Sequence, residues 1–579
     1  MSIDASDPNA AEAPPVRVVL CWHMHQPSYL DPGTGDYRLP WTYLHGTKDY
    51  ADMAAHLEAN PAARAVVNFS PVLLEQLEDY SRQIAGFLER GERLRDPLLR
   101  ALAMPTLPVT EHERRHLVEQ CQRINRPHLA DPFPAFRHLL EIAEMVSAHP
   151  ASMRYLSDAF LVDLITWYHL GWMGETVRRG EPRVQRLMDK GNGFTLHDRR
   201  ELLAVIGELL AGLPHRYRHL AETGRVELSM TPYGHPILPL LQDLQCARQS
   251  WPESPMPVVG HYPGGDERAR WHLQRGLEIF EHTFGHRPRG CWPSEGAVSE
   301  ATLELLQAFG FRWAASGGAV LDNSLGPGGA GNGQWHRAYT LNRGEHGDTG
   351  AAMRCFFRDD GLSDAIGFEY SDWHGDDAVA NLVSRMEDIA AGCQAPEQTV
   401  ISIIMDGENA WEHYPANGFH FLSGLYQRLA DHPGLVLTTF AEAAEELEPR
   451  PLEGLVAGSW VYGTLSTWIG EVDKDRAWEL LAEAKQAFDQ HAGRLDEAGR
   501  AHAEAQLALC ESSDWFWWFG DYNPADVIRD FDHLYRIQLA ALYHALGQEP
   551  PEHLSHAFAR QGRGQPERGG VMRHGRAEP

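Results

Sequence analysis

Val16–Cys21 reads VRVVLC, and the chain runs on through Trp22 into His23-Met24-His25-Gln26-Pro27. A short apolar run with Pro on one side and a polar loop on the other predicts a buried strand. The same grammar recurs. Ala65–Phe69 (AVVNF) is a second strand, and Ser70-Pro71 opens a helix after it, Ser as N-cap and Pro in the first turn. Arg225–Met230 (RVELSM) precedes TPYGHPILP, and Gly290–Trp292 precedes PSEG. A helix over Val298–Phe309 stops at Gly310 and leads to a strand at Phe311–Ala315. Ala352–Phe357, Thr399–Met405 and Gly434–Thr438 complete the series. Short apolar strands alternating with helices predict an α/β fold with a mostly parallel sheet covered on both faces. About seven such units predict an incomplete barrel.

The rhythm breaks twice. From about Arg82 to Thr223 the chain is long, polar and helix-patterned, a helical insertion within a barrel spanning 16–448. From 449 to 558, Arg476–Gln490, Ala501–Cys510 and Pro524–Leu546 are helical with no strands between them, a helical C-terminal region. Residues 1–15 and the Gly-, Arg- and Pro-rich 559–579 read as disordered ends, and Gly317–Gly350 as a mobile Gly-rich loop.

Composition narrows the ligand. The chain has 579 residues, 43% hydrophobic and 23% charged, which is globular. Its net charge of −29 repels nucleic acid and anionic membranes. No apolar run approaches the ~20 residues of a membrane span. Met1–Pro15 lacks the basic start and apolar stretch of a signal peptide, so the expected compartment is the cytoplasm. The seven Cys are scattered with no CxxC pair, against a disulfide scaffold or a Cys-based zinc site. The 17 Trp suit a large core, and also stacking on the apolar faces of sugars.

The polar clusters fall at the C-terminal ends of the expected strands, where functional loops of α/β barrels converge. HMHQP, PYGHP, PSEG, RDDG and DGENAWEHY follow five of them. Glu295, at a strand-to-helix junction, and Asp406, after an apolar strand, offer two carboxylates at one mouth, the requirement of glycoside hydrolysis. Read singly, each has a plainer role: Glu295 as a helix-start carboxylate, Asp406 as a turn former. His23 and His25, two apart on an extended stretch, face the same way and have a spacing that also suits zinc, with His235, His413 and Asp359 as further ligands. Trp22, Trp292, Trp411, Trp460 and Trp468 flank the polar clusters and are the stacking candidates. The dense run Trp515, Trp517, Trp518 reads as helix packing.

Over roughly Val16 to Gly547 these motifs resemble glycoside hydrolase family 57, the α-amylase-type retaining enzymes on an incomplete (β/α)7 barrel. HQP (His25-Gln26-Pro27) is similar to the family's first motif and the stretch with His235 to its second. GCWPSE carries the nucleophile position, Glu295, and MDGENAWEHY the acid/base position, Asp406. GSWVYGTLSTWIG, with Trp460 and Trp468, matches the fifth, glucan-binding motif. The α-amylase or amylopullulanase subgroup is the most similar. One departure is AASGG at Ala314–Gly318, where relatives carry an acidic pair. The resemblance implies a retaining enzyme that cleaves α-1,4 bonds of glycogen, starch or maltodextrin without cofactor or metal. His25, His235, Trp22, Trp292, Asp359, Trp411, Trp460 and Trp468 would bind the substrate. A 4-α-glucanotransferase or branching enzyme is the nearest alternative. Further off are a metal-dependent polysaccharide deacetylase or α-mannosidase, hinging on His23-x-His25, and a non-catalytic glucan-binding protein.

Overall fold

The computed structural model describes residues 14–326, 334–341, 352–560, 562 and 574. The expected disordered ends therefore lie almost wholly outside the described residues, as does much of the expected mobile loop. Ten strands form one sheet: β1 (Val16–Met24), β2 (Ala65–Phe69), β3 (Val226–Met230), β4 (Gly290–Cys291), β5 (Trp313–Gly317), β6 (Tyr339–Leu341), β7 (Arg354–Arg358), β8 (Val400–Asp406), β9 (Leu435–Leu437) and β10 (Arg450–Leu452). Their order is β10-β6-β7-β5-β4-β3-β2-β1-β8, with β9 beside the start of β1, and every pairing is parallel except β6 with β7. Seven strands, β1 to β5 with β7 and β8, are the staves of a barrel. The seam between β7 and β8 carries no strand ladder. It is bridged where Asp359 N–H donates to Ser402 O (2.8 Å) and Arg358 Nε donates to Ile404 O (2.8 Å). β6 escaped the sequence reading because it lies in the stretch read as a Gly-rich loop, and β10 because Pro451 stands in its middle.

Strand alternation decides what each side chain can do. Val19 and Cys21 of β1 pack inside the barrel with Val66, Trp313, Phe356 and Ile404. Val18, Leu20, Trp22 and Met24 point the other way, into the larger core under the helices. His23 has the parity of Val19 and Cys21. Asp406 has the parity of Val400 and Ile404, and Arg358 that of Phe356. The interior column of each strand thus emerges at the mouth as a polar residue. Asp359 has the wrong parity. It caps the helix Asp360–Asp364 through Leu362 N–H and pairs with His336 at 2.8 Å.

Seven short helices and one six-residue 3-10 turn lie between the helices Pro71–Arg90 and Leu196–Glu222, and the helices Val472–His491, Glu497–Cys510, Ser513–Trp518 and Ala525–Ala545 follow the barrel. No described helix is long and apolar enough to cross a membrane. The described part of 317–350 differs from a mobile loop. Gly317 ends β5 and Gly318–Leu325 is a helix whose first N–H groups are met by Asp360. Glycine stands there because chain passes close by: a Cβ on Gly317 would lie 2.7 Å from Trp460 Cα, and one on Gly318 would lie 2.7 Å from Arg358 O. Gly317→Ala should therefore push the Trp460 segment outward at a cost of about 1–3 kcal/mol of overpacking. Urea unfolding would read this as a lower midpoint, and an unchanged midpoint would mean that the segment yields freely.

Candidate active site

Three histidines form the inner wall of the barrel mouth. The His25 and His235 rings stack with centroids 3.7 Å apart, and His23 lies 5.1 Å from His235. Their hydrogen bonds fix the protons. His23 Nδ1 faces Asn68 Oδ1 at 2.7 Å, and Asn68 spends its N–H on Ser229, so His23 Nδ1 is the donor. Burial foremost, with the nearby His25 ring, pushes the pKa of His23 down to about 3, leaving Nε2 bare. His235 Nε2, 3.1 Å away, must then donate to it. Burial, then His25 and His23, hold His235 neutral too, so its Nδ1 accepts from the Ser513 hydroxyl at 2.7 Å. Protons thus point one way, from Ser513 through His235 and His23 to Asn68. His25 bonds Ser70 Oγ (2.8 Å) and Asp514 Oδ2 (2.9 Å). Ser70 does precede the helix in an extended conformation, but its hydroxyl serves His25 and makes no cap.

Two carboxylates face this wall from opposite staves. Glu295, just past β4, has φ 58°, a left-handed conformation that costs a non-glycine residue of order 1–3 kcal/mol. His235 shares the feature at φ 59°. Trp460 holds Glu295 twice: its indole N–H donates to Oε2 (3.0 Å) and its backbone N–H to the Glu295 carbonyl (3.1 Å). His235 Nδ1 is 3.8 Å from Glu295 Oε1. Asp406 ends β8 and accepts from Asn409 Nδ2 at 2.8 Å. Burial raises both carboxyls. Asp406 rises to about 6, while Glu295, further raised by the charge of Asp406 and partly relieved by Trp460, goes well above the usual range. Two such groups in one low-dielectric site hold their last proton as a pair. Glu408, two residues on, is raised the same way, and its Oε2 has no hydrogen-bond partner among the described residues. Burial opposes ionisation of Asp514, but His25 and the Ser512 hydroxyl outweigh it and keep that carboxyl below its usual range.

These groups line a cavity of about 510 Å³. His23, His25, Trp460, Glu295 and Asp406 face it, with His235 fully buried behind. The expected stacking residues are mostly elsewhere. Trp22 donates to Tyr426 under the helices, Trp292 lies edge-on beneath Trp460, and Trp411 packs on Trp22. Trp468 is wholly buried, its carbonyl taken by Trp478. None of these four lines the cavity, because strand parity or the turn of the loop aims each ring into the core. Asp359 is likewise outside it. His413 reaches the lining beside Asn125, apart from the other histidines. The walls come instead from Trp41 and Trp172 before and within the helical insertion, and from Trp517 and Trp518. Of that dense run Trp515 is wholly buried among the helices, while Trp518, stacked on Phe531, and Trp517, against Trp468, pack on the core and also face the cavity. Arg358, Glu408 and Asp514 are further lining groups missed in the sequence. Arg358, salt-bridged to Asp360 and Asp364, lies with its guanidinium 5.4 Å from the Trp460 ring centroid.

His25, His235 and Asp514 are the one described group with cation-ligand spacing, their ligand atoms within 4.8 Å of one another. Ser70, Asp514, Ser513 and His23 satisfy these ring nitrogens, so the cluster is complete as protein. Neutron diffraction should find His23 protonated at Nδ1 alone and His235 at Nε2 alone at neutral pH. Deuterium on both nitrogens of either ring would reverse the proton direction derived above.

Among solved structures, the fold is similar to a GH57-type branching enzyme from Pyrococcus horikoshii, with TM-score 0.57 and 16% identity over 93% of each chain. A GH57 branching enzyme from Thermococcus kodakaraensis in complex with glucose gives 0.55 and 16% over 92% of this chain and 90% of that one. An α-amylase from Thermotoga maritima gives 0.54 and 12% over 93% and 96%. No curated protein sequence matches the chain. At such identities the likeness is one of fold. The family model is more specific: it matches residues 19–456, from the middle of β1 past β10, and so contains His235 and both opposed carboxylates, Glu295 and Asp406. By that match the chain belongs to glycosyl hydrolase family 57.

Proposed function

We propose that the chain is a retaining, α-glucan-active enzyme cleaving α-1,4-glucosidic bonds of glycogen, starch or maltodextrin. The observation that carries the reading is the opposition of Glu295 and Asp406 across one cavity, separated by β3, β2 and β1 on one side and by β5 and β7 on the other. A sugar between them meets a carboxylate on each side of its anomeric carbon. Glu295 attacks that carbon and the bond to the leaving oxygen breaks as Asp406 gives that oxygen its proton. Asp406, now a carboxylate, takes a proton from an incoming hydroxyl, whose oxygen displaces Glu295 and restores it. Two inversions give retention. The reactive form of the pair is singly protonated with the proton on Asp406; burial and the charge of Asp406 favour the proton on Glu295 in the empty site, so this is the minor form until substrate is bound. The indole N–H of Trp460 favours it by stabilising the Glu295 carboxylate.

Family membership and aromatic walls support a glucan substrate, since glucose rings offer C–H faces to Trp41, Trp172, Trp517 and Trp518. Those walls also favour a second reading. An apolar site that excludes water hands the glycosyl group to a sugar hydroxyl, as in a 4-α-glucanotransferase or branching enzyme. In this reading 16–448 is the catalytic barrel and 449–558 a helical region completing its site. The seven Cys are free, which fits a reducing cytoplasm. The product profile on maltoheptaose, glycogen and pullulan tests the reading. New reducing ends mean hydrolysis, redistributed chain lengths mean transfer, and no product from any of the three refutes it.

Glu295→Gln should abolish turnover, while Asp406→Asn loses roughly 10²–10⁴-fold on natural substrate and much less on the first step with an activated aryl glycoside. Proton NMR of the first minutes should show the α-anomer, and an initial β-anomer would exclude Glu295 as nucleophile. In the wild type kcat/KM should fall once the shared proton leaves, an alkaline limb at or above about 6, because the acid form of Asp406 is then lost. Chelators should leave activity intact. Loss restored by zinc would redirect attention to His25, His235 and Asp514.

A further inference from the structure

The histidine wall is held from outside the barrel. Ser513 grips His235 by its hydroxyl and by its backbone N–H, which donates to His235 O at 3.0 Å, while Asp514 takes the His25 N–H. Immediately before them stands Glu511, a fully buried carboxylate. Every donor to its carboxylate comes from the barrel side: Tyr262 O–H (2.5 Å), Arg268 Nε and Nη2 (each 2.8 Å) and His272 Nε2 (2.7 Å). His272 then turns back on the histidine wall. Its Nδ1 accepts from Gly234 N–H (3.2 Å) and its carbonyl from Tyr233 N–H (3.1 Å). With Nδ1 accepting and Nε2 donating, His272 is a neutral ring of fixed tautomer. One cluster therefore holds residues 233–234 through His272 and residues 512–514 through Glu511, the two stretches that flank and anchor His235. The backbones also meet here, for a Cβ on Gly234 would lie 2.7 Å from Ala508 O.

A buried ion pair adds little net stability over an apolar replacement, and its best-attested use is to fix register. We propose that Glu511, with Arg268, His272 and Tyr262, is a positioning element for the reaction. It sets Ser513 and Asp514 against His235 and His25, and so sets the rings that face Glu295. The proposal rests on the mechanism above for its kinetic readout and on geometry alone for its structural one.

Three single variants and one double test it: Glu511→Gln, Tyr262→Phe, Ser513→Ala, and Tyr262→Phe with Ser513→Ala. Misplacement of a reacting group by about 1 Å can cost 10²-fold. Glu511→Gln and Ser513→Ala should each lower kcat about 10–100-fold on maltoheptaose with KM within about two-fold, and Tyr262→Phe, which removes one donor and preserves the ion pair, several-fold. Because Tyr262 acts through Glu511 on the segment that carries Ser513, the double variant should lose clearly less than the product of the two single losses. Independent, multiplying losses, or a Tyr262→Phe enzyme with wild-type kcat, would overturn the proposal even if Glu511→Gln failed to fold. A lowered melting temperature with unchanged kcat per folded molecule would return Glu511 to a structural role. Should the wild type turn over no α-glucan, the proposed function falls. The positioning is then judged from crystals of Tyr262→Phe and Ser513→Ala, where an unmoved His235 ring would refute it.

Discussion

The site depends on the register of β1 with its two neighbours. His23 stands level with Asn68 of β2 on one side and with Asp406 of β8 on the other, and Asn68 is level with Ser229 of β3. One row across four strands thus carries a histidine, its tautomer-fixing amide and a carboxylate. Side chains alternate with period two, so a slip of one residue would turn that row into the helices and bring Trp22 and Met405 to the mouth. The apolar residues below, Val19 and Cys21 against Val66 and Ile404, forbid the slip because they fill the barrel interior. Packing of the lower barrel and chemistry at its rim are therefore one constraint.

Electrostatics at the rim follows from that packing. Glu295, Asp406, Glu408 and Asp514 are gathered in one cavity that Trp41, Trp172, Trp460, Trp517 and Trp518 help to wall, in a chain already at −29. Burial alone would protonate them all. Asp514 escapes by its pairing with His25, while Glu295 is hydrogen-bonded by the neutral donor Trp460 and Asp406 by the neutral donor Asn409, the charges of His25 and Arg358 easing Asp406 only in part. The difference separates one carboxyl held below its usual range from two held above it.

Strand positions and polar clusters were legible in the sequence because apolar runs ending in His, Glu or Asp carry their own signal. Ala65–Phe69 is recovered to the residue. Stacking residues were not, because adjacency in sequence to a polar cluster says nothing about the face a ring takes. Counting parity from Val19 would have sent Trp22 out of the barrel interior and under the helices, and the same count from Phe356 would have brought Arg358 to the mouth. No local pattern could find Ser513 and Asp514. They belong to a short helix more than 100 residues beyond β8, and they reach the site only through tertiary packing. The Trp517-Trp518 pair looked like core for the same reason: the helix presents one side to the protein and the other to the cavity.

The place of β1 in the sheet has a consequence for how the chain is made. It is the first of the described strands in chain order, yet one of its long partners, β8, begins about 380 residues later, roughly 20–75 s at common elongation rates. Throughout that interval Val18, Val19 and Leu20 lie on a strand with one edge unpaired, the condition that invites pairing with another chain. The barrel cannot be closed by folding from its N-terminus onward. The edge of β1 that β8 covers is sheltered until then by other means, β2 and helix Pro71–Arg90 covering only its other side and face.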